Sequence, residues 1–333
     1  MEVDLLIVDK HQQHFYQEVA QILEQSKFDI STPLLGCGGC FDLVAKKHTI
    51  LLLIKLIMNI DSFKEDQAYE LRKLAYMLSG FPLIVGQNIR SSSDIEEGVV
   101  YTRYEIPAVS KGTLRNLLIN QLPPLIYAYR GGFKVKFDGS LLKEKRLAKS
   151  YSLGDFAREV GVSKRAVYEY ERGTVDVSLE TAMKIEELLD EPLTIAINLF
   201  EEMKRIGSVS TPSTHSSAPK SDIEREVKKH FDEIGLKDQL WTKKIPIRVL
   251  AKSMEPVDEM DKLYTTITSI SEKPSSDDVE QKILVTFSIS KIAEADPLVV
   301  LGDDSKKSTI DGVSVVSIDD LIKSKKKKSL EKD

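Results

Sequence analysis

The chain has little that would staple it covalently or anchor it in a bilayer. Only two of its 333 residues are cysteine, so no disulfide framework is on offer and a reducing compartment is the simplest setting. No apolar run reaches the length of a membrane span; the longest, Thr49 to Ile60, is broken by Lys55. The opening MEVDLLIVDK puts no basic residue ahead of its short apolar segment, which argues against a secretory leader. Cys37-Gly-Gly-Cys40 has no second cysteine pair, and His11, His14 and His48 stand at no finger-like spacing from it. A tight turn explains the two glycines better than a metal does. The formal net charge of −5 argues against a non-specific nucleic-acid coat. What remains is a cytoplasmic globular protein without an evident cofactor, long enough for two or three domains.

The charge is unevenly spread. Between Arg130 and Gly173 eleven basic side chains face six acidic ones, a net of +5 that leaves −10 for the rest. Inside this basic island, Ser152 to Gly173 (SLGDFAREVGVSKRAVYEYERG) carries the signature of two short helices. Ser152 and Asp155 stand at capping-box spacing, with Asp in place of the usual Glu or Gln. Phe156, Ala157 and Val160 give the first helix an apolar face. Gly161 suits the left-handed backbone that ends it. Ser163 caps the second helix, 163–172, which turns Val167 and Tyr170 inward and stops at Gly173. Two helices joined by a Gly-containing turn form a helix-turn-helix. Upstream, Ser140 to Ser150 reads as a helix capped by Ser140, with Leu142 and Arg146 inside. Downstream, Ser178 caps a helix that faces Leu179, Ala182, Ile185, Leu188 and Leu189 inward, and 193–205 reads as a further helix.

From Ser140 to Pro192 the chain resembles the lambda repressor and Cro family of DNA-binding domains. Arg146, Phe156-Ala157, Val160 to Ser163, Val167, Tyr170-Glu171 and Gly173 carry the resemblance. It implies that the second helix lies in the major groove. Lys164, Arg165, Tyr168 and Glu169 would then meet base edges, the basic pair suiting guanine and Glu169 suiting cytosine. Ser163 would meet a phosphate at the helix start, and Lys143, Lys149, Arg158 and Arg172 would hold the DNA backbone. Arg146 and Glu171 resemble the family's buried ion pair. Readers of this kind bind as two-fold dimers, so a homodimer is expected.

The flanking segments read differently. Residues 1–124 alternate helix and strand: a helix at His11 to Gln25, strands at Phe41 to Val44 and Ile50 to Met58, an amphipathic helix at Glu65 to Leu78, strands from Pro82 and Gly98, and a helix from Lys111. This order is similar to the restriction-endonuclease-like fold, whose active members hold a divalent metal with an Asp on one strand and an acidic-x-Lys on the next. Asp42 and Lys55 sit at those places, but the acidic position is Leu53. A hard cation would lose one of few oxygen ligands, so no metal site and no catalytic residue are expected. At 125–137, LIYAYRGGFKVKF reads as a hairpin with its tip at Arg130-Gly131-Gly132; Arg130, Lys134 and Lys136 could act as a DNA-touching wing or as edge-strand charges. Beyond the Ser/Thr/Pro-rich stretch 207–221, residues 222–323 look like a diverged copy of the first domain. Leu43 to Lys47 (LVAKK) matches Val249 to Ser253 (VLAKS), the strand Ile50 to Met58 matches Leu263 to Ile270, the helix Glu65 to Leu78 matches Asp277 to Ala295, PLIVG from Pro82 matches PLVVLG from Pro297, and Gly98-Val-Val matches the strand opened by Gly312.

The expected architecture is therefore multidomain, α/β plus all-α. An α/β domain spans 1–124, a β-hairpin 125–137 and a four- to five-helix lambda-repressor-like domain 138–206. A flexible linker follows at 207–221, then a second, related α/β domain at 222–323 and a disordered basic tail at 324–333. The expected function is sequence-specific DNA-binding regulation of transcription, cytoplasmic and dimeric, with double-stranded DNA as partner. Over most of its length the chain is also similar to archaeal Cro-type transcriptional regulators. Two other readings stay open. One is a metal-dependent nuclease using Asp42 and Lys55, guided by the helix-turn-helix. The other is an adaptor resembling the multiprotein bridging factors, which touches the transcription machinery.

Overall fold

The computed structural model describes residues 10–34, 38–90, 93–207, 218–242, 245–253, 264–272, 274–302 and 308–323. Two compact units divide the chain. One gathers Met1–Ile57, Ser62–Ile84 and Met203–Asp333, the other Met58–Asp61 and Val85–Glu202. Most of the expected linker, 208–217, all of the tail, 324–333, and Cys37 lie outside the described residues.

The first part of the chain begins with α1 (Lys10–Gln25), which buries Phe15, Val19, Ile22 and Leu23 along one face. β1 (Asp29–Ile30) pairs antiparallel with β2 (Leu43–Lys47), and β2 with β3 (Ile50–Asn59). Leu51 to Leu56 of β3 are all buried, the pattern of a strand covered on both faces. α2 (Glu65–Leu78) starts with Glu65 and Asp66 near its positive end and stops at Ser79, whose backbone is left-handed (φ 53°). It buries Ala68, Leu71, Leu74 and Ala75. β4 (Phe81–Ile89) closes the order β1-β2-β3-β4.

The next segment is built on a hairpin and a helical core. β5 (Ser93–Asp94) pairs with β4. β6 (Val99–Arg103) and β7 (Ile106–Ser110) form an antiparallel hairpin through Tyr104 and Glu105, both at positive φ (48° and 71°). α3 (Lys111–Leu118) is capped by Ser110, whose hydroxyl accepts from the Thr113 N–H at 3.0 Å. β8 (Ile126–Tyr129) pairs parallel with β6 and antiparallel with β9 (Gly132–Phe137). Then come α4 (Gly139–Ala148), α5 (Leu153–Val160), α6 (Lys164–Glu171), β10 (Val177–Ser178), α7 (Leu179–Leu189), β11 (Thr194–Ile195) and α8 (Leu199–Gly207). Both β10 and β11 pair with β9. Phe137, Leu142, Phe156, Ala157, Val160, Val167, Val177, Ala182, Ile185 and Leu189 share one core.

Two expectations for this segment are corrected. The cap of α4 is Asp138, not Ser140: its carboxylate accepts from the Ser140 and Leu141 N–H groups, each at 3.0 Å. Residues 193–205 are not one helix. Pro192 supplies no N–H to continue α7, and Glu186 Oε1 accepts from Leu193 N, Thr194 N and Thr194 Oγ1, each at 2.8 Å. These bonds hold the chain extended, so Thr194 and Ile195 pair with Phe137 and Lys136 before α8 begins. Just beyond, the Ile197 N–H donates to the Pro124 carbonyl at 2.8 Å.

The last part opens with α9 (Asp222–Glu233), capped by Ser221. β12 (Asp238–Trp241), β13 (Ile247–Lys252) and β14 (Thr265–Ser271) form an antiparallel run. α10 (Ser276–Ala293) crosses to β15 (Asp296–Leu301), which lies parallel to both β14 and β17 (Val313–Ser317); β16 (Ser308–Ile310) is antiparallel to β17. Residues 318–323 are helical. Val227, Phe231, Trp241, Val249, Ala251 and Val300 are buried together between helix and sheet. No helix among the described residues is long and apolar enough to cross a membrane.

Candidate nucleic-acid interface

Every end of the helix-turn-helix is held by a local device. Ser152 Oγ accepts from the Asp155 N–H at 3.1 Å and donates to Asp155 Oδ2 at 2.6 Å. The shorter Asp thus folds back onto the serine hydroxyl. Gly161 ends α5 with φ 83°, and Val162 follows half-buried. Ser163 caps α6 through the Ala166 N–H at 3.0 Å, and Gly173 follows its end with φ 64°. Val167 is the fully buried anchor of α6. The opposite face of its first turn, Ser163, Lys164 and Arg165, is exposed.

At the other end of α6 lies the ion pair. Arg146 Nε donates to Glu171 Oε1 at 2.5 Å and Nη2 to Oε2 at 3.3 Å, while Nη1 donates to the Tyr151 carbonyl at 2.6 Å. The two side chains are 5% and 7% exposed. A charge pair this deep stands because its donors and acceptors are satisfied. Gly139, at the start of α4, supports the same junction: a Cβ there would run into the carbonyl oxygens of Tyr170 and Glu171. Sequence reasoning passed over Gly139, since close approach by a distant helix end leaves no local signal.

The remaining expected contacts are differently placed. Arg165 is 88% exposed, with Nε 3.9 Å from Glu169 Oε1. Thr174 Oγ1 hydrogen-bonds the other oxygen of Glu169. Glu169 is thus a brace between the turn and Arg165. The exposed ring of Tyr168 has the Arg172 guanidinium 5.5 Å from its centroid. Arg158 is exposed and pairs with Asp155 at 3.3 Å. Lys143 is exposed on α4. Lys149 donates to the Leu188 carbonyl at 2.8 Å, where it serves the C-terminal end of α7. On the hairpin, Lys134 and Lys136 lie 4.9 and 5.0 Å from the ring centroids of Tyr129 and Tyr127, and Lys136 also reaches Glu202 at 3.3 Å. Both therefore lie across the rings of the neighbouring strand β8, and of the three hairpin cations Arg130 is the one exposed at the tip.

Asp42 and Lys55, the residues at the metal-holding places of the nuclease-like fold, meet each other. Lys55 Nζ donates to Asp42 Oδ1 at 3.0 Å and the Leu56 N–H to Oδ2 at 2.6 Å, so both carboxylate oxygens are occupied by donors. Burial pushes the Asp42 carboxyl up, against the opposing pull of Lys55. Leu53 is fully buried and contributes no oxygen. Among the described residues no group of three His, Cys, Asp or Glu could hold a metal ion. The donor set does not fit a divalent cation.

Comparison with known proteins agrees with both halves of this geometry. Residues 12–124 match the PD-(D/E)XK superfamily domain, and residues 142–195 match a helix-turn-helix family. The chain is 37% identical to a protein of Methanocaldococcus jannaschii over 92% of this chain and 91% of that one. It is 35% identical to one of Pyrococcus furiosus over 86% of each, and 34% identical to one of Pyrococcus abyssi over 92% and 90%. Each of the three is named "Putative HTH-type transcriptional regulatory protein". No solved structure matches the chain.

Proposed function

The chain belongs to this archaeal family of HTH-type transcriptional regulatory proteins, and on that footing we propose that it is a sequence-specific reader of double-stranded DNA whose helix α6 enters the major groove. The observation that carries the reading is the first turn of α6: Ser163, Lys164 and Arg165 stand exposed on a helix whose other face is anchored by Val167. Lys164 and Arg165 meet base edges, and the Ser163 turn with its N–H groups receives a phosphate. Tyr168 and Glu169 complete the base-facing row, Glu169 mainly by aiming Arg165. Lys143, Lys149, Arg158 and Arg172 hold the DNA backbone, Lys149 from a position where it also meets the Leu188 carbonyl. Arg146 and Glu171 fix the angle of the reader.

In this reading the reader occupies 138–206, preceded by the hairpin 125–137 and set between α/β domains at 1–124 and 222–323. It works in the cytoplasm as a homodimer whose two α6 helices meet half-sites about one helical turn, ~34 Å, apart. The PD-(D/E)XK-like domain serves as scaffold without nuclease chemistry, because Leu53 removes a ligand and Lys55 occupies Asp42. Selection of bound genomic fragments at two salt concentrations tests the whole reading. A shared motif that survives the higher salt supports it; uniform loss on all fragments would leave only phosphate attraction.

A further inference from the structure

The two α/β segments repeat one another element by element. Strand order in the first is β1-β2-β3-β4-β7-β6, and in the second β12-β13-β14-β15-β17-β16. Each sequence of elements begins with a helix, α1 or α9, and places a long helix, α2 or α10, between its third and fourth strands. Each then makes a hairpin with a two-residue turn whose residues are both at positive φ: Tyr104-Glu105 in one, Asp311 (50°) and Gly312 (83°) in the other. After each hairpin a serine caps the final helix: Ser110 accepts from Thr113 N at 3.0 Å, and Ser317 from Asp320 N at 3.1 Å. The equivalence therefore sets β7 (IPAVS) against β17 (VSVVS), which corrects the sequence match of Gly98 with Gly312.

Strand register makes the correspondence residue-specific. With LVAKK set against VLAKS, Leu43 faces Ile54 as Val249 faces Thr268, so Lys46 corresponds to Lys252 and Lys55 to Ser269; a bulge at Arg248 sets Ile247 opposite Ser269, where the first copy has Asp42 beside Lys55. Equivalent faces of the two copies meet reciprocally. Lys46 reaches Glu294, the residue ending α10, at 2.6 Å, and Lys252 donates to the Met77 carbonyl near the end of α2 at 3.0 Å. Lys73 on α2 pairs with Asp238 at the start of β12 at 2.6 Å, and Ser288 on α10 accepts from the Thr32 N–H, just past β1, at 2.7 Å. Counted back from the residue that ends each helix, Ser79 and Glu294, Lys73 and Ser288 hold the same position. Contacts in which each copy offers the same patch to the other are the mark of an isologous, two-fold interface.

We infer that residues 222–323 are a duplicated copy of the PD-(D/E)XK-like fold and that the two copies pair about a pseudo-two-fold axis, forming a dimer inside one chain. The partner of the face made by β1, β2 and α2 is thus this chain's own second copy. That face is consumed, so two chains that meet on DNA do so through another surface. The second copy, with Ser269 in place of Lys55 and a bulge where the first has Asp42, is a pairing element. This inference stands independently of the DNA-reading proposal.

A protease site inserted within 208–217 of the full-length protein tests it. After cleavage, the two fragments are expected to elute together in gel filtration at low micromolar concentration. Lys73→Glu is expected to weaken that association about tenfold or more, and adding Asp238→Lys to restore it. A second pair, Lys46→Glu with Glu294→Lys, repeats the test should the first variant fold poorly. In the uncut chain neither reversal changes the number of chains per assembly. Separation of the wild-type fragments, charge variants without effect on their association, or loss of the intact chain's oligomer would each overturn the inference.

Discussion

Arg146 and Glu171 lock the first helix of the reader to the last turn of its recognition helix, through two guanidinium–carboxylate hydrogen bonds at 2.5 and 3.3 Å in a nearly sealed site. Removal of one partner leaves the other charged without a counter-charge. Glu171→Ala is expected to cost about 3–5 kcal/mol. Thermal melting of the two proteins side by side checks this, and equal melting would mean that the pair contributes nothing.

Gly139 sits against the same turn. Because backbone oxygens rather than a yielding side chain occupy the space a Cβ would need, Gly139→Ala should displace the end of α6 and destabilise the protein by about 1–3 kcal/mol. Gly154, where a Cβ would meet Ser152 Oγ at an ordinary contact distance of 3.8 Å, is the control: Gly154→Ala is expected to be neutral or slightly stabilising in the same melts, as glycine to alanine within a helix usually is.

Arg165 is the most exposed charged side chain in the helix pairs of this region. If it reads a base, Arg165→Ala loses roughly 1–3 kcal/mol on the best site and little on unrelated DNA, with relaxed preference at one position. Titration of both DNAs distinguishes that from a phosphate contact, whose loss would be equal on each.

Glu224 supplies a pH dependence. Burial alone would raise its carboxyl, but hydrogen bonds from Arg248 and the Lys220 N–H, together with the Arg248 charge, hold it below the usual glutamate range. Stability from such a group is fully present above the unfolded value and is lost as pH falls through the lowered folded one. Glu224→Gln should therefore lower the urea midpoint by a constant amount from neutral pH down to about 5, and by progressively less below about 4. A gap that stays constant into strong acid would contradict this.

Asp42 tests the scaffold reading. Asp42→Ala strands Lys55 in the interior and is expected to cost about 3–5 kcal/mol, while the surviving folded protein selects the same DNA fragments. Mg²⁺-dependent cleavage by the wild type that disappears in the variant would restore the nuclease reading.

Much of the reader was legible because its signals are local. Ser152, Ser163 and Ser178 each cap within three residues, and Gly161 and Gly173 each end a helix by their own backbone freedom. The errors arose where the deciding partner is far along the chain. Residues 193–205 show helical apolar spacing, yet Glu186 and β9 hold Thr194 and Ile195 extended. Asp138 outcompetes Ser140 as a cap because the helix starts two residues earlier than a Ser140 cap implies. The bond from Lys149 to the end of α7 likewise has no local signal, since its acceptor lies at Leu188. Two-residue strands such as β1, β10 and β11 are too short for any alternation to reveal.

The hydrogen bond from the Ile197 N–H to the Pro124 carbonyl, 2.8 Å from N to O, ties the residue before the hairpin to the residues just before α8, so that 125–196 enters and leaves at one point. A stretch whose two ends touch is a cassette: it can be cut out, exchanged or grafted with no change in the span its neighbours must bridge. Replacement of 125–196 by another module with adjoining ends, one that also offers β6 a strand in place of β8, is expected to redirect the protein to a new target.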